Sequence, residues 1–366
     1  MRNRSAFVIS FLVMLLYLTV GTSAQSPQYE NLALQLSPNG ETIAVGTYYG
    51  ELILYDAVSR NTLHTFQHEA DIYDLEWSPD GVRIAAVSYF GNVKVWDTVS
   101  YELLFSIDLP LNIVFRVNWS PDGTQLARTS AESGTTLLDS TTGSELFHLQ
   151  TGDTADSLWF PSTYLMTAGL VGLRVWNGEI ELSRILGTVN GVINSNLPSR
   201  IAFSSTLNSI AVYGNTAPTI DSAGNITDSR MVLQTYAFPA FELLNSINLS
   251  LPEQTSVIKL EWSENGAYIA MSTTDGYLRI WDGLFLTPVN EIFVASAGWA
   301  FDWLNDTEII FAPNHMIPNT IQVVIPPPPT PSPTATPTLT PSPTATLTPI
   351  PTPTSSVICC TLSNQV

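Results

Sequence analysis

The fold is decided by a stretch that reads Ile72-Tyr-Asp-Leu-Glu-Trp77, Ser78-Pro-Asp-Gly81 and Arg83-Ile-Ala-Ala-Val-Ser88. Apolar and polar residues alternate in the first segment, which predicts a β-strand, and the third segment predicts a second strand. Between them, Pro presets φ at the second turn position, Asp caps the turn, and Gly takes the corner with positive φ. The stretch therefore predicts two strands joined by a tight β-turn.

This strand–turn–strand unit recurs along the chain. The anchors of the seven units, four with a complete turn and three degenerate, are Ser37, Ser78, Ser120, Phe160, Ser204, Ser263 and Leu304. Successive anchors lie 41, 42, 40, 44, 59 and 41 residues apart. A period of about 40 to 45 residues, with four short strands in each unit, is typical of a propeller blade.

A second feature has the same period. Each unit with a complete turn has an Asp nineteen residues after its anchor, at the end of a third strand; these residues are Asp56, Asp97, Asp139 and Asp282. Asn177 and Val323 follow the fourth and seventh anchors by 17 and 19 residues. The fifth unit breaks the register because of an insertion near residues 214–230. Two registers that agree in six of seven units predict an all-β, seven-bladed β-propeller over residues 25–325.

The repeats resemble the WD40-repeat family over about 300 of the 366 residues. Trp96-Asp97 and Trp281-Asp282 match the dipeptide that gives the family its name. In that family each blade is a four-stranded antiparallel sheet, and the blades surround a central channel. Many of its blades also join a His, a Ser or Thr, a Trp and an Asp in one hydrogen-bonded set.

Blade two fits this set in part. The resemblance implies structural roles for His68, Ser88, Trp96 and Asp97, but Phe90 stands where the family has its other Asp.

Blade six departs at a different position. Thr273, Asp275, Trp281 and Asp282 fit the pattern, whereas Gln254 stands near the position of the His. Since no blade carries the full set, the chain resembles a divergent member of the kind found in exported bacterial proteins.

The end of blade seven is irregular. Residues 326–329 are four prolines, which a central strand does not accept. The fourth strand of this blade is therefore either supplied by residues 26–30 or missing.

The N-terminus has the pattern of a secretory signal peptide. Residues 1–4 are basic, residues 6–20 are apolar, and small residues precede a cleavage site after Ala24. An uncleaved anchor is the alternative, although fifteen apolar residues fall short of the roughly 20 that span a bilayer. We expect residues 1–24 to be removed, leaving a secreted or cell-surface protein without a stable membrane span.

The C-terminus is rich in Pro and Thr. Residues 326–356 include the same seven-residue segment at 330–336 and at 340–346. Such a segment cannot bury a core and favours extended polyproline II, which predicts a disordered linker or stalk. Residues 357–366 form a short remnant in which Cys359 and Cys360 either link two chains by a disulfide or have no role.

The charge balance excludes whole classes of partner. Only 12% of the residues are charged, but 32 are acidic and 13 basic, for a net charge of −19. Phosphate backbones and anionic lipids require clustered Lys and Arg, and the chain has two lysines, Lys94 and Lys259. We therefore expect no nucleic-acid partner.

Catalytic motifs are missing from the sequence. It contains no nucleophile elbow, no zinc-protease motif and no phosphate-binding glycine loop. The four histidines, His64, His68, His148 and His315, are scattered among different units. We expect no enzymatic activity, no cofactor and no metal.

Candidate binding residues lie in loops between second and third strands, which the resemblance places on one face. Blade one has Tyr48-Tyr49-Gly50 there and blade two has Tyr89-Phe90-Gly91. These aromatic pairs either form a hot spot for a peptide or sugar, or fill the space left by the missing Asp. The same class of loop holds Asp221, Asp228 and Asp275.

These features favour an exported, non-catalytic scaffold that binds a still unknown protein partner, with a peptide or a glycan as the contact. One alternative is an extracellular carbohydrate-binding or hydrolytic propeller that uses an acidic channel mouth. It requires carboxylates that converge on one face. Another alternative is a mainly structural spacer.

Overall fold

We analysed a computed structural model of the chain. It describes residues 31–88, 90–108, 114–130, 133–149, 151, 154–160, 164–169, 172–178, 180–185, 200–215, 219–220, 226–228, 231–252, 255–294, 300–312 and 318–322. Tyr89, Asp221, His315, the predicted signal peptide, the Pro/Thr-rich segment, Cys359 and Cys360 lie outside the described residues. Among the described residues, no helix has the length and apolar character of a membrane span.

The described chain is all-β and forms seven antiparallel sheets around one axis, as predicted. Blade one contains β1 (Asn31–Leu36), β2 (Thr42–Thr47), β3 (Glu51–Asp56) and β4 (Thr62–Gln67). Blade two contains β5 (Ile72–Trp77), β6 (Arg83–Ser88), β7 (Val93–Asp97) and β8 (Leu103–Ile107). Blade three contains β9 (Val114–Trp119), β10 (Gln125–Ser130), β11 (Gly134–Asp139) and β12 (Glu145–Leu149).

The remaining blades include the one with the insertion. Blade four contains β13 (Thr154–Trp159), β14 (Tyr164–Gly169), β15 (Gly172–Asn177) and β16 (Ile180–Ile185). Blade five contains β17 (Arg200–Ser204), β18 (Ser209–Asn215), the small hairpin of β19 (Thr219–Ile220) and β20 (Ile226–Asp228), β21 (Met231–Ala237) and β22 (Glu242–Leu249). Blade six contains β23 (Val257–Trp262), β24 (Tyr268–Thr273), β25 (Tyr277–Asp282) and β26 (Pro288–Phe293). The described part of blade seven contains β27 (Phe301–Asn305), β28 (Glu308–Phe311) and β29 (Asn319–Gln322).

Apolar side chains fill the spaces between successive blades. The described residues form one buried cluster at each of the seven interfaces, including the interface that closes the ring. At that last interface Leu34 and Val45 of blade one pack with Ile310 of blade seven. The second strands carry fully buried alanines such as Ala44, since a small side chain lets two sheets approach closely.

Side-chain hydrogen bonds explain why the turns have their sequence. The Ser78 hydroxyl accepts from the Arg83 N–H at 2.9 Å, and the same hydroxyl donates to Asp80 at 2.5 Å. At the end of the third strand, Asp97 Oδ1 accepts from the N–H groups of Val99 and Ser100 at 2.8 and 2.7 Å. Equivalent bonds recur in other blades. The recurring Ser and Asp residues of these turns therefore accept hydrogen bonds from nearby backbone N–H groups.

Tryptophans at the ends of the inner strands join neighbouring blades. The indole N–H of Trp119 donates to the Glu76 carbonyl of the preceding blade at 3.1 Å. Trp77, Trp159 and Trp262 make the same bond to their preceding blades. Trp303 differs, because its buried indole N–H has no hydrogen-bond partner among the described residues.

Replacing Trp119 with Phe should lower the free energy of unfolding more than replacing Trp303 with Phe does. Both changes remove a similar volume, but only the first removes an inter-blade hydrogen bond, which is worth about 0.5–1.5 kcal/mol. Urea unfolding of both variants measures the difference. Equal losses of stability would contradict a role for the indole hydrogen bond.

Candidate interaction face and charged channel

Antiparallel blades give the propeller two distinct faces. Loops between second and third strands, and those from a fourth strand to the next blade, lie at one end of every sheet; we call this end the upper face. The turns after the first and third strands lie at the lower face. Tyr48, Tyr49, Phe90 and Asp275 are all on the upper face, as the sequence predicted for this class of loop.

Tyr48, Tyr49 and Phe90 form what we call the aromatic patch. Their exposed fractions are 57%, 63% and 55%, so these rings do not fill an internal space. The rings of Tyr48 and Tyr49 meet edge to face, with centroids 5.7 Å apart and planes at 85°. The patch therefore presents large apolar side chains to solvent from two neighbouring blades.

A rigid turn holds the tyrosines of the aromatic patch in place. Gly50 has a φ of 77°, its N–H donates to Thr47 O at 3.2 Å, and its carbonyl accepts from the His68 N–H at 2.7 Å. A Cβ at position 50 would lie 2.6 Å from His68 O and 2.9 Å from Ala70 O. Both the backbone conformation and the close approach therefore require glycine.

His68 is buried beneath the loops that carry the aromatic patch. Its ring lies 6.1 Å from that of Trp96, and its Nδ1 accepts from the Glu69 N–H at 3.0 Å. Burial lowers the pKa of His68 to about 4, so the ring is neutral at pH 7. Ser88 has a buried hydroxyl without a hydrogen-bond partner among the described residues. The hydrogen-bonded set of the family is thus incomplete in blade two.

In blade six an arginine is paired with Asp275. Thr273 donates to Asp275 at 2.5 Å, and Arg279 Nη2 lies 2.7 Å from Asp275 Oδ2 and 2.9 Å from Glu291 Oε1. The side chain of Asp275 is consequently held inside its own blade. The other two predicted acidic residues are less defined: Asp228 ends β20, and its side chain, like all of Asp221, lies outside the described residues.

Charged side chains line the central channel, a feature that the sequence analysis missed. The channel has a volume of about 670 Å³ and is lined by residues of the inner strands. Five of the charged lining residues occupy the same position in their inner strands, three residues before the last apolar residue. They are Asp74, Arg116, Asp156, Arg200 and Lys259. This common register was a signal in the sequence that could have revealed them.

Arg116 links three successive blades. Its Nη1 lies 3.1 Å from Asp74 Oδ1 of blade two, and its Nε lies 2.9 Å from Asp156 Oδ1 of blade four. Further along the ring, Arg200 Nε donates to Ile258 O at 2.7 Å, and Lys259 Nζ donates to Phe301 O at 2.8 Å. Each of these cations thus reaches the next blade.

Carboxylates bind backbone N–H groups of the next blade. Asp74 Oδ2 accepts from Val117 N at 3.0 Å, and Asp156 Oδ2 accepts from Ile201 N at 3.0 Å. Glu76 accepts from Trp119 N in the same manner. Asp302 of blade seven accepts from Leu36 N of blade one at 2.7 Å, which closes the ring.

Burial raises the pKa of two of the channel glutamates. Burial raises the pKa of Glu76 to about 8, despite the hydrogen bond from Trp119. Burial and then the nearby Asp302 raise the pKa of Glu261, against the charge of Lys259, whose Nζ lies 3.0 Å away. Protonation lowers the cost of burying so many acidic groups together.

The channel carboxylates converge, but inter-blade contacts occupy them. Within the described ranges, no group of three or more His, Cys, Asp or Glu residues is arranged to hold a metal ion. Tyr48, Tyr49 and Phe90, in contrast, are exposed on the upper face. The site defined by this fold is therefore an exposed aromatic surface on a propeller with an ion-paired channel.

Two family models match the chain, and both describe WD40 domains. The model of the anaphase-promoting complex subunit 4 WD40 domain matches residues 17–80, and the model of the WD domain, G-beta repeat, matches residues 246–282. Together with the seven-bladed structure, these matches support a β-propeller of the WD40-repeat family. Such propellers are generally non-catalytic and typical of protein-interaction scaffolds. No curated protein sequence matches the chain.

Solved structures share the fold. Kuenenia stuttgartiensis hydrazine synthase has a TM-score of 0.67 at 13% identity, covering 84% of this chain and 99% of that chain. The Cps50 (Swd1) β-propeller domain of Myceliophteria thermophila has a TM-score of 0.64 at 14% identity, covering 83% and 100%. A chain of the mitotic checkpoint complex has a TM-score of 0.62 at 16% identity, covering 82% and 92%. At these identities the likeness establishes the fold alone.

Replacing Glu76 with Gln should flatten the pH dependence of stability. A carboxyl group whose pKa rises from 4.5 to about 8 on folding adds stability that is complete below pH 4.5 and lost as the pH approaches 8. Titration of Glu76 contributes at most about 1.4 kcal/mol per pH unit to the pH dependence of the free energy of unfolding. Denaturation between pH 5 and pH 9 measures this.

The matched control for that experiment is the same substitution, Glu to Gln, at the exposed Glu102. The Glu102 variant should keep the slope of the wild-type chain. A Glu76 variant that also keeps this slope would contradict the raised pKa.

Proposed function

We propose that the chain is an exported, non-catalytic propeller that acts as a protein-interaction scaffold at the cell surface or in the extracellular space. The observation that carries this proposal is the aromatic patch. Three large rings are more than half exposed, and a turn with a required glycine fixes two of them. Rigid, exposed aromatic side chains lose little entropy on binding, and tyrosine is enriched among the residues that dominate interface energies.

The contacts of the other predicted binding residue support this choice. Asp275, the other candidate with a described side chain, is paired with Arg279 and Thr273. The polar groups of the channel hold the blades to one another. A partner that approached the upper face of blades one and two would meet the tyrosines and Phe90 without breaking these pairs.

The proposed location is supported by the sequence of residues 1–24, which has the basic, apolar and small-residue regions of a signal peptide. The Pro/Thr-rich segment after residue 325 suits a spacer that presents a binding face away from a surface.

A second candidate function is carbohydrate binding or hydrolysis in the channel. It is favoured by Glu261, whose raised pKa beside Asp302 is the property of a general acid. Its carboxyl group is also paired with Lys259, and both residues join blades six and seven, so we rank this function second.

The interaction proposal predicts capture of a specific protein from the native cell surface and culture medium. The bait is the chain from residue 25 to residue 366. Changing Tyr48, Tyr49 and Phe90 to Ala should abolish capture of this protein, as judged by quantitative mass spectrometry. Both baits must first show the same circular dichroism and melting temperature.

The matched control changes Val58 and Val99, exposed apolar residues of the lower face, to Ala. This bait should retain the partner. Equal capture by all three baits would show that the aromatic patch is not the binding surface. In that case, binding of the wild-type chain to a glycan array, or its activity in a glycosidase assay, would support the channel function.

The location has its own test, in which the full chain is produced in its native host. The protein recovered from the medium or the cell surface should begin at Gln25, as measured by mass spectrometry of its N-terminal peptide. A protein that stays inside the cell and begins at Met1 would contradict export.

A further inference from the structure

We infer that the aromatic patch binds a cationic peptide segment of the partner, with an arginine side chain placed against Tyr48, Tyr49 or Phe90. This inference rests on the proposed function and specifies the chemistry of the partner. It follows from the arrangement of aromatic rings and carboxylates on the upper face of blades one and two.

The aromatic rings suit a cation in two ways. All three residues are more than half exposed, and the rings of Tyr48 and Tyr49 are nearly perpendicular to each other, with planes at 85°. A guanidinium stacks on the faces of aromatic rings and keeps its charge at any physiological pH. The chain already uses this contact internally, where the Arg83 guanidinium lies 4.5 Å from the ring of Trp119.

Carboxylates lie in the same upper-face loops of blades one and two as the aromatic patch. Glu51 directly follows the turn of Tyr48 and Tyr49, and the close approach of Gly50 to His68 and Ala70 seats this turn on the loop that contains Glu69 and Asp71. Glu69 is exposed, and Asp71 is half-buried.

A fourth carboxylate lies on the blade-two side of this surface. The exposed Asp108 directly follows the outer strand of blade two and acts electrostatically on His68. The four carboxylates therefore belong to the loops that carry or support the exposed rings.

The basic residues near these loops do not neutralise the four carboxylates. In the described segments 46–51, 67–72, 88–94 and 107–108, apart from residue 89, the one Lys or Arg is Lys94. Lys94 is 9% exposed, and its ammonium group is paired with Glu69. His68 is neutral at pH 7 because burial lowers its pKa to about 4. Three carboxylates thus remain for a cation that arrives from outside.

This charge pattern separates the possible occupants. An acidic or phosphorylated segment would be repelled, and a neutral sugar would stack on the rings without any gain from the carboxylates. A purely apolar helix would have to remove water from the carboxylates and leave them unpaired. A cationic segment alone satisfies both the rings and the charges.

The test uses an array of ten-residue peptides that have randomised flanks and either arginine, citrulline, alanine or glutamate at two central positions. Citrulline keeps the shape of arginine but not its charge. The fluorescently labelled chain from residue 25 to residue 366 should bind the arginine pool at least about fivefold more strongly than the citrulline pool. The preference should decrease as salt increases.

Two variants locate the preference. Changing Tyr48, Tyr49 and Phe90 to Ala should abolish it, and the combination of Glu51→Gln, Asp71→Asn and Asp108→Asn should reduce it at least about threefold. The matched control combines Glu41→Gln, Glu102→Gln and Glu264→Gln, which neutralise three exposed carboxylates of the lower face. It should keep the full preference.

Equal binding of the arginine and citrulline pools, binding of no pool, or an equal loss in the lower-face control would overturn the inference. None of these results decides the proposed function. The capture experiment tests that function separately, because it does not depend on the charge of the partner. A partner that is captured through the aromatic patch, together with no preference for arginine, would therefore refute the cationic segment and keep the scaffold.

Discussion

The innermost strand of each blade has one edge that pairs with no other strand, and the rest of the structure depends on how the backbone groups of this edge are hydrogen-bonded. In each blade the inner strand pairs with one neighbour, so its other edge faces the channel with free N–H and C=O groups. A side chain of the preceding blade meets this edge: Asp74 accepts from Val117 N, Asp156 from Ile201 N, and Asp302 from Leu36 N. Buried backbone donors require such partners, and here the partners also fix the angle between blades.

This solution concentrates charge in the interior of the protein. Three of the chain's thirteen basic residues line the channel, in a protein with a net charge of −19. They balance the carboxylates, and burial keeps Glu76 protonated at pH 7. The channel side chains make these inter-blade contacts, whereas the rings of the aromatic patch are more than half exposed on the upper face. Inter-blade contacts and exposed rings therefore lie in different parts of the propeller.

Most of the fold could be predicted from the sequence, because turns and strand ends depend on local chemistry. The Ser-Pro-Asp-Gly turn and the Asp nineteen residues later satisfy nearby backbone groups, so their periods showed the blades directly. The charged lining of the channel was missed for a different reason. The alternation of residues along a strand places Asp74 and Arg116 on one side of their strands, but it does not show that these strands converge. Nor could a linear pattern show that Phe90 faces solvent or that Arg279 pairs with Asp275.

Hydrogen exchange at β9 tests the role of the channel side chains most directly, because two amides of this strand bind different residues of blade two. Val117 N donates to Asp74 and Trp119 N donates to Glu76. In the full chain with Asp74→Ala, the Val117 amide should exchange at least about tenfold faster, while Trp119 keeps more of its protection. Unchanged exchange at Val117, or equal acceleration at both amides, would contradict an edge held by individual side chains.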